Sequence, residues 1–325
     1  MQFASHVGWS FSSDTQEKGS LGNSEYMQIS FHGVEIEDTF AEAFGMWGAR
    51  VIITAVDPRW AREAALKMTG FATSIIACGC EAGIESDLRD TPDGRPGVGV
   101  LLFARTKDLL ANQLIDRIGQ CVLTCPTTAC FNGLSSEEQV PVGAPLRFFG
   151  DGFQSSKVIG GRRYWRIPVM EGEFLVEEKF GVQRAVGGGN ILILGSDQAV
   201  TLRAAEQAAD AMRHVPGIVL PFPGGLVRSG SKVGSRYKFL GASTNHAFCP
   251  SLRGQVASAL PEGVNSVLEI VMDGLDIQSI EQATRAGIAA ACIPGIRRIS
   301  AGNYGGKLGQ FRIHLHEVMK EALSV

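Results

Sequence analysis

One pattern occurs twice in this chain, and that duplication constrains the fold more than any single motif. Gly33-Val34-Glu35-Ile36-Glu37-Asp38-Thr39-Phe40 leads to the apolar run Arg50-Val51-Ile52-Ile53-Thr54 and then to a helical stretch bearing Ala64-Ala65. The same grammar returns in Gly172-Glu173-Phe174-Leu175-Val176-Glu177-Glu178-Lys179-Phe180, then Asn190-Ile191-Leu192-Ile193-Leu194, then Ala204-Ala205. Phe40 and Phe180, Val51 and Ile191, and Ala64 and Ala204 are each 140 positions apart. A later block repeats at 168, where Arg117-Ile118-Gly119 is answered by Arg285-Ala286-Gly287.

After a polar, Ser- and Gly-rich stretch at 1–27 that is expected to be a disordered extension, four blocks share one order: apolar strand, short loop, amphipathic helix, second strand. They run Ala49 to Gly83, Val98 to Leu123, Asn190 to Leu220 and Val267 to Ile299, with Ser74-Ile75-Ile76 and Cys121-Val122-Leu123 as the closing strands of the first two. Two βαβ units per copy make βαββαβ, so an α+β fold is expected: a duplicated ferredoxin-like sandwich, with lobes at 28–170 and 171–325. A doubly wound parallel sheet is the alternative, because alternation alone does not fix strand order. The long connections Phe131 to Tyr164 and Gly224 to Pro261 are expected to serve function.

At 325 residues and 45% hydrophobic, the chain has material for two cores. A net charge of −3 without any Lys/Arg block argues against nucleic acid as a partner. No apolar run reaches the ~18 residues of a membrane span, and the seven irregularly spaced cysteines fit a reduced compartment, so a cytoplasmic protein is expected.

Glu269 lies within Ser266-Val267-Leu268-Glu269-Ile270-Val271-Met272, where both faces of a strand would be apolar. A carboxyl kept in such surroundings holds its proton to higher pH and becomes a candidate acid; the plainer reading is a solvated or ion-paired glutamate. The 168 spacing sets Glu269 against Leu101 in the first copy, which suggests that folding does not demand an acid there. The run Ser300 to Gly309 looks like a phosphate loop, but Lys307 is wrongly spaced and Leu308 replaces the magnesium-binding hydroxyl. It reads as closely approaching backbone with Asn303, the ring of Tyr304 and the cation of Lys307 beside a site, or simply as a strand connection. Phe222, in Pro221-Phe222-Pro223-Gly224-Gly225, and the polar cluster Ser243-Thr244-Asn245 are candidates for holding a heterocycle, with a mere turn as the alternative. His314 and His316, two apart on an expected strand, have no third ligand in view, so no metal site is expected.

Taken together, these residues resemble the formylmethanofuran:tetrahydromethanopterin formyltransferases from about Ile29 to Val318. The likeness is carried by Gly33 to Phe44, Thr91-Pro92-Asp93-Gly94-Arg95-Pro96-Gly97-Val98, Asp116 to Cys121, Phe148-Phe149-Gly150-Asp151-Gly152, Pro221 to Gly225, and Ser300 to Gln310 with His314-Leu315-His316.

The resemblance implies an acyltransferase that moves a formyl group reversibly between formylmethanofuran and N5 of tetrahydromethanopterin. It implies both coenzymes as co-substrates, no permanent cofactor, a homodimer or homotetramer, and Glu269 as the position matching the family's proposed catalytic glutamate. Backbone N–H groups or Asn245 are candidates for the oxyanion. A bacterial role in formaldehyde oxidation, beside formylmethanofuran hydrolase subunits, is the expected setting. The rival is a coenzyme-binding scaffold subunit without turnover.

Overall fold

The computed structural model describes residues 29–323, so the expected extension at 1–27 lies outside the described residues. The first copy comprises β1 (Phe40–Thr54), α1 (Pro58–Thr69), β2 (Glu81–Leu88), β3 (Gly97–Ala104), α2 (Lys107–Arg117) and β4 (Ala129–Asn132). The second comprises β5 (Gln183–Gly195), α3 (Gln198–Arg213), β6 (Ile218–Val219), β7 (Ser266–Gly274), α4 (Ile277–Ala291) and β8 (Ile296–Ser300). Local chemistry starts the helices where they start. Asp57, Asp197 and Asp276 each accept a first-turn N–H, and such a cap contributes about 1 kcal/mol. Helix α1 buries Ala61, Ala64, Ala65 and Met68, three small side chains and one long one on a single stripe that faces the first core.

Strand β4 pairs with β1, β1 with β3, and β3 with β2, all antiparallel. The second copy repeats the order, β8 with β5, β5 with β7 and β7 with β6. This interleaved order belongs to a split βαβ repeat, and the antiparallel pairing of the four strands within each copy excludes the doubly wound parallel alternative.

The copies do not stand apart as two sandwiches. Strands β1 and β5 pair antiparallel from Gln183 opposite Gly48 to Gly187 opposite Phe44, so both belong to one 14-stranded sheet. With the 140 spacing this pairing is reciprocal: Trp47 faces Arg184, and Phe44 faces the equivalent of Trp47, Gly187. The seam is thus an internal version of a two-fold interface. Gly48 permits it, since a Cβ there would lie 3.0 Å from both the Ala185 methyl and the Phe103 ring.

Each copy also lends a hairpin to the other. Ile29–Phe31 and Val34–Ile36 form a hairpin whose second strand runs parallel to β8, with Ile36 against Ile299. Arg162–Val169 and Gly172–Glu177 form the equivalent hairpin, which runs parallel to β4 with Val176 against Cys130. Phe174, Val176, Phe180 and Val182 therefore pack in the first core, while Val34, Ile36, Ala41 and Ala43 pack in the second. Each core thus takes residues from both sides of the expected division at 170/171, and the second hairpin straddles it.

Two expected strands are displaced. Ile75–Cys78 is a single helical turn capped by Ser74, and the strand follows at Glu81. Cys121 and Val122 belong to a wide turn, Ile118–Val122, before β4. In both places apolar content signalled burial without specifying the backbone. The 224–261 connection folds as short turns and a small hairpin, Lys232–Val233 with Ala242–Ser243, and covers the face of the second copy where Leu192, Leu194 and Val264 pack with Phe248 and Leu260. Strand β9 (Phe311–His314) pairs with the start of β1, and α5 (Leu315–Leu323) follows. His316 thus lies on the helix, its ring bonded to the Ile36 carbonyl at 2.7 Å, and does not share a strand face with His314. No described helix is long and apolar enough to cross a membrane.

Candidate active site

Strand β7 places Glu269 by simple alternation. Ile270 and Met272 are buried in the second core with Leu268 packed against it, which turns Val267, Glu269 and Val271 to the opposite face. Leu192 of β5 lies directly across from Glu269. On the other side Val227, from the covering connection, exchanges both backbone hydrogen bonds with Glu269 at 2.7 and 2.9 Å. The backbone is thus held from both sides, while among the described residues no ion pair or hydrogen bond reaches the carboxyl. Burial pushes its pKa up to about 7. Near neutral pH it is poised between acid and base.

Strand register corrects one detail of the internal comparison. Leu192 is the equivalent of Ile52 at the 140 spacing, and Ile52 faces Gly99, so the position answering Glu269 is Gly99, not Leu101. The connections between strands differ in length between the copies, and a single sequence offset cannot track them. The inference survives in stronger form, because the first copy keeps no side chain there.

The glycine-rich run after β8 is an anion nest, and its anion belongs to the same chain. Asn190 pins the entry, donating Nδ2–H to the Gly302 carbonyl at 3.1 Å and accepting the Gly302 N–H at 2.5 Å. The loop then wraps the carboxylate of Glu42. Oε2 accepts the N–H groups of Tyr304 and Gly306 at 2.7 and 3.0 Å, and Oε1 accepts those of Leu308 and Gly309, each at 2.5 Å. Glu42 is 0% exposed. Burial alone would raise its pKa, but the four N–H groups outweigh it and hold the carboxyl below its ordinary value. A Cβ on Gly309 would stand 2.4 Å from the Ala43 carbonyl, so glycine is needed for the close approach. The resemblance to a phosphate loop thus has a physical cause, successive N–H groups converging on negative charge.

Tyr304 links the nest to Glu269. Burial raises its pKa, a hydrogen bond with Ser231 opposes this, and the negative charges of Glu269 and Glu42 raise it further. Its ring centroid lies 6.3 Å from that of Phe44. The 227–231 strip that bridges Glu269 also meets other candidates: Thr244 donates to the Ser229 carbonyl at 3.3 Å, and Gly230 lies against Asn245. Glu269, Tyr304, Thr244 and Asn245 are thereby gathered around one strip, with Phe222 at the tight turn leading into it, where its carbonyl accepts the Gly225 N–H at 2.8 Å. Ser243 is committed elsewhere, to the Gly234 carbonyl at 2.7 Å, and Asn303 donates to Thr39 Oγ1 at 3.0 Å. Lys307 is exposed, without an ion pair among the described residues. Two members of the group, Glu42 and Ser231, were not among the sequence candidates. Glu42 carried the same signal as Glu269, an acid between apolar strand neighbours, Ala41 and Ala43.

Asp273, four residues beyond Glu269, shows a third outcome for a strand acid. It is fully buried, accepts the Gly188 N–H at 2.9 Å through Oδ1, leaves Oδ2 without a hydrogen-bond partner among the described residues, and lies near the buried carboxyl of Glu81 of the first copy. Burial and the neighbouring carboxyl raise its pKa well above the ordinary value. No group of three or more His, Cys, Asp or Glu residues among those described is arranged to hold a metal.

Comparison with known proteins agrees with this geometry. Residues 29–169 match the family model of formylmethanofuran-tetrahydromethanopterin formyltransferase, and residues 172–318 match its proximal lobe. The chain is 61% identical over 294 residues to the formylmethanofuran–tetrahydromethanopterin formyltransferase of Methylococcus capsulatus, covering 89% of this chain and 99% of that one. It is 50% identical over 305 residues to one of the subunits of the formyltransferase/hydrolase complex of Methylorubrum extorquens, covering 90% and 98%. Among solved structures, the Methanosarcina barkeri formyltransferase superposes with a TM-score of 0.85 at 52% identity, covering 89% of this chain and 100% of that one. A chain of the Methylorubrum extorquens formyltransferase/hydrolase complex, solved with methylofuran, gives 0.88 at 49% identity, covering 90% and 99%. Matches that span both copies, including the nest and the Glu269 strand, place this chain in the formylmethanofuran–tetrahydromethanopterin formyltransferase family.

Proposed function

We propose that this protein transfers a formyl group between formylmethanofuran and N5 of tetrahydromethanopterin, with Glu269 as the proton-transferring group. The pterin nitrogen attacks the formyl carbon, the carbonyl oxygen becomes an oxyanion, and the bond to the methanofuran nitrogen breaks. The pterin nitrogen loses one proton and the departing amine gains one, so an acid that gives a proton and recovers one ends unchanged. The observation that carries this assignment is a carboxyl without an ionic partner among the described residues, whose pKa is pushed by burial to about 7. It lies within electrostatic reach of Tyr304, whose own backbone is held by the ionised Glu42. Neighbouring carboxyls pushed in opposite directions is the arrangement expected where one group moves protons and another stays charged. Asn245 and the N–H groups of the 227–231 strip are available to the oxyanion. Holding two bulky coenzymes in one orientation supplies much of the remaining acceleration.

Both coenzymes act as co-substrates in this reading, with none held permanently. The protein works in the cytoplasm as a homodimer or homotetramer, and in a bacterium the flow runs towards formate. The relative at 50% identity is a subunit of a formyltransferase/hydrolase complex, which favours hydrolase subunits as partners.

The test is a coupled assay of the purified chain with both coenzymes. Glu269→Gln keeps size and hydrogen bonding but cannot exchange the proton, and turnover is expected to fall about 10²- to 10⁴-fold. Wild-type kcat should change as pH passes through about 7, and the variant's profile should be flat there. Undiminished turnover in the variant removes the proton role. A wild-type chain that binds both coenzymes without exchanging formyl is instead a scaffold.

A further inference from the structure

Among the described residues every hydrogen-bond partner of the Glu42 carboxylate is a donor: four N–H groups from Tyr304, Gly306, Leu308 and Gly309, two to each oxygen. A protonated acid would set its O–H against one of these donors and find no acceptor, so the geometry itself demands the carboxylate. No Lys, Arg or His forms a salt bridge with it among the described residues, and the loop backbone supplies all the compensation. The contact spans more than 260 positions in sequence, from the first strand of one copy to the last loop of the other. Arg312 donates to the Gly306 carbonyl at 2.8 Å and Asn303 accepts the Gly305 N–H at 3.2 Å, but Glu42 is the side chain that gathers four N–H groups of this glycine-rich run onto one point. The residue it shapes is Tyr304, whose phenol meets Ser231 and lies within electrostatic reach of Glu269.

We propose that Glu42 is a positioning residue for formyl transfer, its carboxylate serving as an internal template that closes the Asn303–Gly309 loop and sets Tyr304 beside Glu269. This rests on the formyltransferase reading above. Glu42 does not touch the reacting atoms. It acts through the loop, whose misplacement by about 1 Å is enough to lower catalysis on the order of 100-fold.

The experiment is chemical rescue. Glu42→Ala leaves the Cβ and empties the nest, and acetate supplies the atoms removed, a methyl carbon and a carboxylate. In Glu42→Ala, kcat/KM is expected to fall about 100-fold and to recover saturably with acetate. It should not recover with acetamide, a neutral molecule of nearly the same shape, or with chloride at equal ionic strength. A second readout needs no turnover. The Tyr304 phenol, followed by ultraviolet titration against a Tyr304→Phe control, should shift in Glu42→Ala and return with acetate. Equal rescue by acetamide overturns the proposal, as do wild-type kinetics in Glu42→Ala. If Glu42→Ala does not fold, Glu42→Gln carries the test, because its amide nitrogen must face two N–H donors; wild-type kcat and KM there would also overturn it. Should the wild type itself transfer no formyl, the reaction assignment fails, and the Tyr304 titration still judges the template.

Discussion

Three acids lie at apolar strand positions, and their fates differ because their carboxyls meet different partners. Glu42 meets four N–H groups and stays charged; Glu269 meets hydrocarbon and titrates near neutrality; Asp273 is fully buried near another acid, and both causes raise its pKa. The sequence signal is the same for all three. It led to Glu269 because that strand is apolar on both faces, and it passed over Glu42 because the groups that surround it lie more than 260 positions away. The Asp273–Glu81 pair has a consequence for stability. Both carboxyls bind a proton more tightly folded than unfolded. Their contribution is therefore intact at acid pH and lost as pH rises above the ordinary carboxyl range, from about pH 5 upward. Asp273→Asn removes the titrating carboxyl and keeps an oxygen for the Gly188 N–H. Urea unfolding at mildly acid and alkaline pH should show the wild type losing more stability than this variant. Parallel losses in the two proteins would mean that ionisation of this pair does not govern the pH dependence.

At the scale of elements, turn and cap chemistry was legible wherever the deciding atoms are close in sequence. The caps at Asp57, Asp197 and Asp276 precede their helices directly. The Ser300–Gly309 run was visible as a glycine-rich loop, and its spacing excluded a nucleotide, yet its occupant was not visible. Two glycines separate conformation from packing. Gly305 has φ +72° and nothing within 4 Å of an added Cβ, whereas a Cβ on Gly309 would lie 2.4 Å from the Ala43 carbonyl and 2.7 Å from Glu42 Cγ. Gly305→Ala should cost about 1 kcal/mol through backbone strain alone. Gly309→Ala should cost about 1–3 kcal/mol and lower formyl transfer as well, since it pushes the loop off its template. Thermal unfolding and steady-state kinetics on both variants check this. A Gly309→Ala no worse than Gly305→Ala would remove the close-packed nest.

For the whole molecule, the exchanged hairpins and the β1/β5 seam make the two copies interdependent. A fragment ending near residue 170 lacks Phe174, Val176, Phe180 and Val182 from its core, and the complementary fragment lacks Val34, Ile36, Ala41 and Ala43. Fully burying a Val, Ile or Phe side chain contributes about 1.5–3 kcal/mol, so the four lost from the first core rival the stability of a domain, while the second core loses two such side chains and two buried alanines. Residues 29–170 and 171–323 expressed separately should therefore fail to give cooperative unfolding by circular dichroism, while the intact chain should unfold in one transition. Two independently folding halves would contradict the interlocked cores.

The sequence by itself determined the duplication, the βαββαβ order, the helix starts and the suspicion of Glu269, because strand alternation, helical stripes and caps act over a few residues. Tertiary structure alone decided that both copies share one sheet, that each borrows a hairpin from the other, and that Gly99 rather than Leu101 answers Glu269. It also decided which anion fills the glycine loop. Each of these depends on pairing between segments far apart in the chain, where the backbone groups and charges that select a partner come together only after folding.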